Sequence, residues 1–453
     1  MTNPYLLPND LYSLLFIGDV HGRVDKLNAL LEQECFIEHE LVDEDEKSDF
    51  YTSRVVFVGD LIDNSHGHNA DHITTLERVK YLMDKGVAHC VMGNHELNAI
   101  GWLLKNDQGQ PLRKHSDKNR KQHALFLEQL GENSELHHQW VNWFKTLPIF
   151  IDFGSITAIH ACWKSSIIEK LKPYLNSDNS LKSEYWHNAF DEQHELLELL
   201  EVALKGPEYE LPASYSFKDK TGFERRNIRA KWWMEDATTY ADVAQVPASE
   251  VENIPEITLA ESARIEPLDK PVIVGHYTLF GVPKLQSSKV ACVDYNGARD
   301  SNPLVGYRFE LQRDESDLVQ LDDEQFTFSF KRETMDSVSK GKLELLEGYL
   351  DSLPAIGEHE LKKYHHQLEA ISDTLRLEWD PIGVGSEPEM DDEYYAYIQP
   401  VLQLLLHSER NVLAYYLLAC EQEYMGVERE CAELSCGLVA NQLTHAWDLN
   451  QPS

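Results

Sequence analysis

The sequence is short of several things, and each shortage excludes a class of protein. Basic residues are scarce: 41 Lys and Arg stand against 77 Asp and Glu, a net charge of −36 with histidine neutral. A surface of that sign repels nucleic-acid phosphates and anionic lipid, so neither nucleic acid nor a membrane is an expected partner. Apolar runs are short, and none reaches the roughly 18 residues of a membrane span. The N-terminal segment lacks a basic start, an apolar core and a small-residue cleavage site, so the expected location is the cytoplasm. Cysteine is sparse: seven residues, scattered, with no CxxC pair. Buried, reduced thiols are expected rather than a disulfide framework. With 23 Gly and 18 Pro, the chain is neither collagen-like nor linker-like. What remains, 42% hydrophobic over 453 residues, is a globular protein long enough for more than one domain.

What is present is a series of short apolar runs, each closed by a turn signal. Leu14 to Ile17 runs into Gly18-Asp19, Val55 to Val58 into Gly59-Asp60, and Ala88 to Met92 into Gly93-Asn94. Ile156 to Ile159 runs into His160, and Pro271 to Val274 into Gly275-His276. Runs of this length, rich in β-branched residues, read as buried strands. Helical periodicity separates the early ones, over Val24 to Gln33 and Asp71 to Lys85. Lys289–Asp294 and Leu304–Glu310 read as two closing strands. Strands alternating with helices predict an α/β layered domain.

The strand ends share a chemistry. Each delivers a carboxylate, an imidazole or an amide where the strand stops, the place where open α/β sheets bind ligands. Asp19 and His21 sit in GDVHG, Asp60 and Asp63 in GDLID, Asn94 and His95 in GNHE; His160 and His276 end two later strands. This donor set without thiolate suits Mn, Fe or Zn in a reactive site better than a structural zinc. Gly18, Gly59, Gly93 and Gly275 each precede a candidate ligand, which predicts sharp turns there.

The ordered set GDVHG, GDLID, GNHE, His160 and Gly275-His276 resembles the calcineurin-like metallophosphoesterases. Order and spacing are most similar to the phosphoprotein-phosphatase branch, over roughly residues 13–311. The resemblance implies a layered α-β-β-α sandwich and hydrolysis of phosphate esters at two divalent metal ions, with Mn²⁺ the first expectation and Fe or Zn the alternatives. Asp19 and His21 would hold the first ion, Asp60 would bridge, and Asn94, His160 and His276 would hold the second. A bridging hydroxide would attack phosphorus. His95 would be the general acid, with Asp63 bonded to its other ring nitrogen.

One departure matters. The branch usually has an arginine directly after the second Asp of GDxxD, gripping the phosphate; here that residue is Asn64. Arg225, Arg226 and Arg229 are the candidate substitutes, with Arg229 first. They lie in the second of two insertions, about residues 104–140 and 165–268. The first reads as a surface helical excursion; within the second, Asp191–Lys205 and Asn227–Glu235 read as helices. His66, His68 and His72 read as a polar loop, and Trp232-Trp233 as burial of the insertion against the core.

From residue 316 onward 27 acidic residues face 9 basic ones, half of the total net charge, and apolar spacing turns helical. Residues 316–453 are therefore expected to form a separate acidic α-helical domain behind a catalytic domain at 1–315. From Trp379-Asp380-Pro381 to Met425-Gly426 that part resembles a small helical bacterial domain of unestablished function. The leading function is a phosphomonoesterase acting on a phosphoprotein, a nucleotide or another small phosphate ester. A dinucleoside polyphosphate hydrolase and a non-catalytic scaffold are the alternatives. The oligomeric state is left open.

Overall fold

The computed structural model describes the chain apart from residues 34–52, 64–69, 219–222, 280–282, 312–319, 330–349, 357–360, 383–393 and 428–431, a few shorter stretches and the extreme termini. Asn64, His66 and His68 lie outside the described residues. Two compact units divide after residue 329.

The first unit carries fourteen described strands. These are β1 Ser13–Ile17, β2 Ser53–Phe57, β3 Ala88–Cys90, β4 Phe150–Asp152, β5 Thr157–Ile159, β6 Glu208–Glu210, β7 Phe217–Lys218, β8 Glu224–Arg225, β9 Asn227–Ala230, β10 Ala244–Gln245, β11 Val272–Val274, β12 Val290–Cys292, β13 Val305–Glu310 and β14 Phe326–Phe328. One main sheet has the order β14-β13-β1-β2-β3, the other β12-β11-β5-β4. β1, β2 and β3 run parallel, as do β5, β11 and β12. Every residue of β1, β5, β11 and β12 is buried, which is why these runs read as continuous apolar stretches without alternation. The two sheets are layered with helices in an α-β-β-α sandwich. Phe16 of one sheet meets Phe153, beside the other, edge to face at 6.3 Å.

The expected strands are present, and two more join them. β4 pairs antiparallel with β5, and β14 pairs with β13 at the sheet edge. The edge strand lies beyond residue 315, so the charge of the chain changes before its fold does. The helix Val24–Gln33 falls where its periodicity predicts. Helix His72–Asp84 starts on Asp71, whose side chain accepts from the Thr74 amide at 2.9 Å. His72 is fully buried there, which corrects the polar-loop expectation at that residue.

Two expectations about the insertions are also corrected. The first insertion is no surface excursion. Its helix Asp117–Leu130, capped by Ser116, buries His123, Phe126, Leu127 and Leu130, and helix Glu135–Phe144 buries Trp140, Val141 and Phe144 against the same core. Polar residues on the outer faces dilute the apolar signal without removing the stripe. In the second insertion, Glu195–Lys205 is a helix, but Asn227–Ala230 is a strand. It pairs on one side with β6 and on the other with β10, and its burial alternates, with Ile228 and Ala230 inward. Long-range pairing decided the structure of a four-residue segment whose propensity is weak. Ile228, Ala230, Leu211, Tyr240 and Val243 make a small core of their own. Trp232 and Trp233 are buried, Trp232 donating to Ala161 O at 3.0 Å and the Tyr277 hydroxyl at 2.8 Å.

The second unit is helical: His365–Thr374, Tyr395–His407, Arg410–Ala419 and Ala432–Leu449. Its core holds Leu375, Trp379, Tyr394, Tyr397, Leu417 and Trp447, while Tyr395 faces solvent. Cys90, Cys162, Cys292, Cys420 and Cys436 are buried and form no disulfide. Among the described residues no helix is long and apolar enough to cross a membrane.

Candidate metal centre

The strand ends of the two main sheets converge. Val58 continues β2 by donating to Ile17 O at 3.1 Å, Val91 continues β3 by donating to Phe57 O at 3.0 Å, and Gly275 donates to His160 O at 2.9 Å. The GDVHG and GDLID turns are sewn together, His21 N to Asp60 O at 3.0 Å and Gly22 N to Leu61 O at 2.8 Å. Where the chain leaves the strands, His21, Asp60, Asp63 and His276 all adopt positive φ, between 48° and 70°. Non-glycine residues rarely sit there, and such strain clusters at functional sites.

The glycines divide two roles between them, positive φ and close approach of the backbone. Gly59 has φ +94°, but Gly93 has φ −94°. Gly93 and Gly275 are needed for space: a Cβ at either would lie 2.2 Å or 2.1 Å from the carboxylate oxygen of Asp60 or Asp19. Ligand-bearing residues share the sharp turns with Gly59, while Gly93 and Gly275 let the carboxylates approach the backbone.

Two groups of side chains bring donor atoms within 4.8 Å of one another: His21, Asp60 and His95, and Asp60, His160 and His276. Asp60 belongs to both. Its Oδ2 lies 3.2 Å from His160 Nε2 and 3.8 Å from His95 Nε2, and its Oδ1 accepts from the His95 amide at 2.9 Å. Asn94 Oδ1 lies 3.1 Å from His160 Nε2 and 2.6 Å from His276 Nδ1. Asp19 stands beside these groups rather than in either, accepting from the His276 amide at 3.2 and 3.1 Å.

The imidazoles are oriented for ligation. His160 Nδ1 is 2.6 Å from Val58 O, and His21 Nδ1 is 2.8 Å from Ile62 O. A carbonyl only accepts, so each Nδ1 carries the proton and each Nε2 offers its lone pair to the centre. His276 Nε2 is buried without a hydrogen-bond partner. Burial, and then Asp294 and Asp60, push the Asp19 carboxyl well above its ordinary range. Burial, and then His160 and Arg229, push His276 well below its own. A cluster of buried carboxylates, an amide oxygen and lone-pair imidazole nitrogens has the donor chemistry for divalent cations, and the residues fit two of them.

His95 stands apart from the others in its partners. Its Nδ1 is 2.7 Å from Asp63 Oδ2. Burial alone would lower its pKa, but Asp60 and Asp63 raise it to about 9. Burial alone would raise Asp63, but His123 and His95 hold it well below the carboxylate range.

Two residues without an expected role complete the site. Glu96 is fully buried and accepts from the amides of Asp60 and Gly93 at 2.9 Å each and of Leu61 at 2.8 Å, so it holds the GDLID and GNHE turns together. Its presence in GNHE is the signal that could have marked it. His123 comes from the first insertion, its Nδ1 2.6 Å from Asp63 Oδ1. No local pattern marks it, because only the packing of its helix brings it in. Among the candidate arginines, Arg229 is near enough for its charge to bear on His276 and Tyr277. Arg226 pairs with Glu210 at 3.2 Å, and Arg225 is exposed on the β7–β8 ribbon.

Residues 12–220 match the family model for calcineurin-like phosphoesterases. That part of the chain is a calcineurin-like phosphoesterase domain, and the protein is a hydrolase acting on phosphate esters, with residues placed to hold divalent metal. No curated protein matches it. Among solved structures, a cold-active protein-tyrosine phosphatase of a psychrophilic Shewanella species is 18% identical, covering 68% of this chain and 83% of that one, with a TM-score of 0.35. A protein serine/threonine phosphatase from Saccharomyces cerevisiae is 12% identical, covering 70% and 79%, with a TM-score of 0.35. A metallophosphoesterase from Sphaerobacter thermophilus is 14% identical, covering 72% and 91%, with a TM-score of 0.31. Likeness at this level carries no argument about substrate.

Proposed function

We propose that the protein is a phosphomonoesterase with two divalent ions, Mn²⁺ first, held by Asp19, His21, Asp60, Asn94, His160 and His276. The observation that carries this reading is the position of Asp60, shared between His21 and His95 on one side and His160 and His276 on the other. Bound there, two ions would supply the charge that activates water and offsets the negative charge developing at phosphorus. The chain's own residues do the rest. Asp63 holds the Nδ1 proton of His95, which turns Nε2 toward the centre as the proton donor for the leaving oxygen. His123 occupies the second oxygen of Asp63, so that carboxylate cannot rotate away from His95. Glu96 fixes the backbone on which Asp60 and His95 stand. Arg229, on the His276 side, is the candidate for a phosphoryl oxygen. Phosphate esters of proteins, nucleotides or small molecules are the substrate classes, and the cytoplasm is the proposed location.

The test is a substrate panel assayed with added Mn²⁺, Fe²⁺ or Zn²⁺, alongside metal analysis. Hydrolysis of phosphomonoesters with two ions per chain is the expected result. Metal-loaded protein that cleaves only dinucleoside polyphosphates, or nothing, would overturn the proposal.

A further inference from the structure

The first insertion does more than pack: it carries cationic and amide groups to the His95 side of the centre. Arg113 is anchored to the helix that bears Asn94 and His95, its amide donating to Gly101 O at 2.8 Å. Its Nη2 donates to Gln122 Oε1 at 3.1 Å and to Asn119 Oδ1 at 3.3 Å. Gln122 Nε2 in turn lies 3.4 Å from His95 Nε2. One amide side chain therefore separates the guanidinium from the proposed proton donor.

Three observations distinguish Arg113 from an ordinary surface arginine. Among the described residues it pairs with no carboxylate. Arg23, Arg120 and Arg226 pair with Asp25, Glu132 and Glu210, whereas the nearby Asp63 has one oxygen on His95 and the other on His123. Its Nη1 is enclosed by protein and has no hydrogen-bond partner. An unsatisfied donor on a cation is costly, so a fold that keeps one there is suited to an anion. Finally, its surroundings run against the charge of the protein. From Lys105 to Lys121 the sequence has six Lys and Arg and two Asp, in a chain of net charge −36. Lys114, Lys118 and Lys121 on that stretch are exposed.

We propose that Arg113 is the guanidinium that binds phosphoryl oxygen of the substrate on the His95 side of the centre, with Gln122 and Asn119 holding its Nη2 until substrate arrives. A guanidinium suits this because its planar fork holds two phosphate oxygens at once. Reaching the substrate requires Nη2 to exchange Gln122 and Asn119 for phosphate oxygens. The basic stretch around it gives an acidic protein a local field that draws a phosphate in. This proposal rests on the phosphomonoesterase reading.

The experiment measures binding of inorganic phosphate to the Mn²⁺-loaded full chain by calorimetry, and in parallel its inhibition of p-nitrophenyl phosphate hydrolysis. Losing a hydrogen-bonded charge pair should make Arg113→Ala bind phosphate about ten- to a hundredfold more weakly. Its metal content and circular dichroism should match wild type. Arg113→Lys should recover part of the affinity, because the charge returns without the fork. Unchanged phosphate affinity in folded, metal-loaded Arg113→Ala would overturn the proposal. If that variant does not fold, unchanged affinity in Arg113→Gln would do the same. A wild type that binds phosphate but hydrolyses no monoester would overturn the phosphomonoesterase reading, and the calorimetric comparison would still decide the role of Arg113.

Discussion

The two compact units bury different things. In the helical unit the interior is almost wholly apolar, built on Trp379, Tyr394, Leu402, Leu417, Val439 and Trp447, with Glu421 as the buried carboxylate among its described residues. In the α/β unit Asp19, Asp60, Asp63, Glu96 and Asp294 are all buried, beside His123 and His160. Burying a carboxylate is expensive unless it is paired, hydrogen-bonded or bound to a cation. A fold that does so five times around the ends of its strands gives up stability for chemistry. The contrast separates the reactive part of the chain from the part whose buried residues are explained by packing.

Asp60→Asn should erase that contrast most completely. Removing the shared carboxylate should empty both metal positions and lower activity by well over a hundredfold, since even outer partners of metal ligands cost about 10–100-fold in affinity or activity. Metal analysis beside kinetics checks it; full metal content in the variant would mean that Asp60 is not the shared ligand.

His95→Asn should come next. Loss of a general acid typically costs about 10²–10⁴-fold in kcat, here with metal content near normal. The loss should shrink for p-nitrophenyl phosphate, whose leaving group needs little protonation. An equal loss on alkyl and aryl phosphates would reassign His95, whose ring nitrogen also lies within 4.8 Å of donor atoms of His21 and Asp60.

Arg229→Ala should have a smaller effect: a KM for phosphomonoesters raised about tenfold, the loss of one charge-assisted hydrogen bond, with unchanged metal content. Steady-state kinetics identical to wild type would remove Arg229 from the site.

The smallest effect on catalysis is expected from the helical unit. Trp379→Ala should destabilise that unit by about 3–5 kcal/mol, as truncation of a buried aromatic does, while hydrolysis of a small aryl phosphate stays near wild type. A chain ending at residue 329 should also retain hydrolysis. One ending at 315 should be less stable, because it removes β14 from the edge of its sheet. Complete loss of activity in a folded, metal-loaded chain ending at 329 would show that the helical unit contributes to the site.

Much of the fold and of the centre is legible in the amino-acid order. The strands that lead to Asp19, Asp60, Asn94, His160 and His276 are short β-branched runs, and a run buried on both faces announces itself by composition alone. The pairing of Asp63 with His95 is legible from the resemblance carried by GDLID and GNHE. Asn227–Ala230 reads as helix and folds as strand, because four residues are too few for periodicity to outvote pairing with β6 on one side and β10 on the other. The first insertion reads as surface for a related reason: its polar sequence hides the single face that meets the core.

Which residues could do the chemistry, and in what order they come, is written in the chain alone, since each donor follows the end of an apolar run by a few peptide bonds at most. How the centre is finished depends instead on packing. Glu96 bonds three amides drawn from two turns, His123 meets Asp63 across 60 positions, and Arg113 approaches His95 through Gln122. Contacts of that kind follow from how helices settle onto the sheets. Local sequence constrains the face a helix presents, but not the partner that the face will meet.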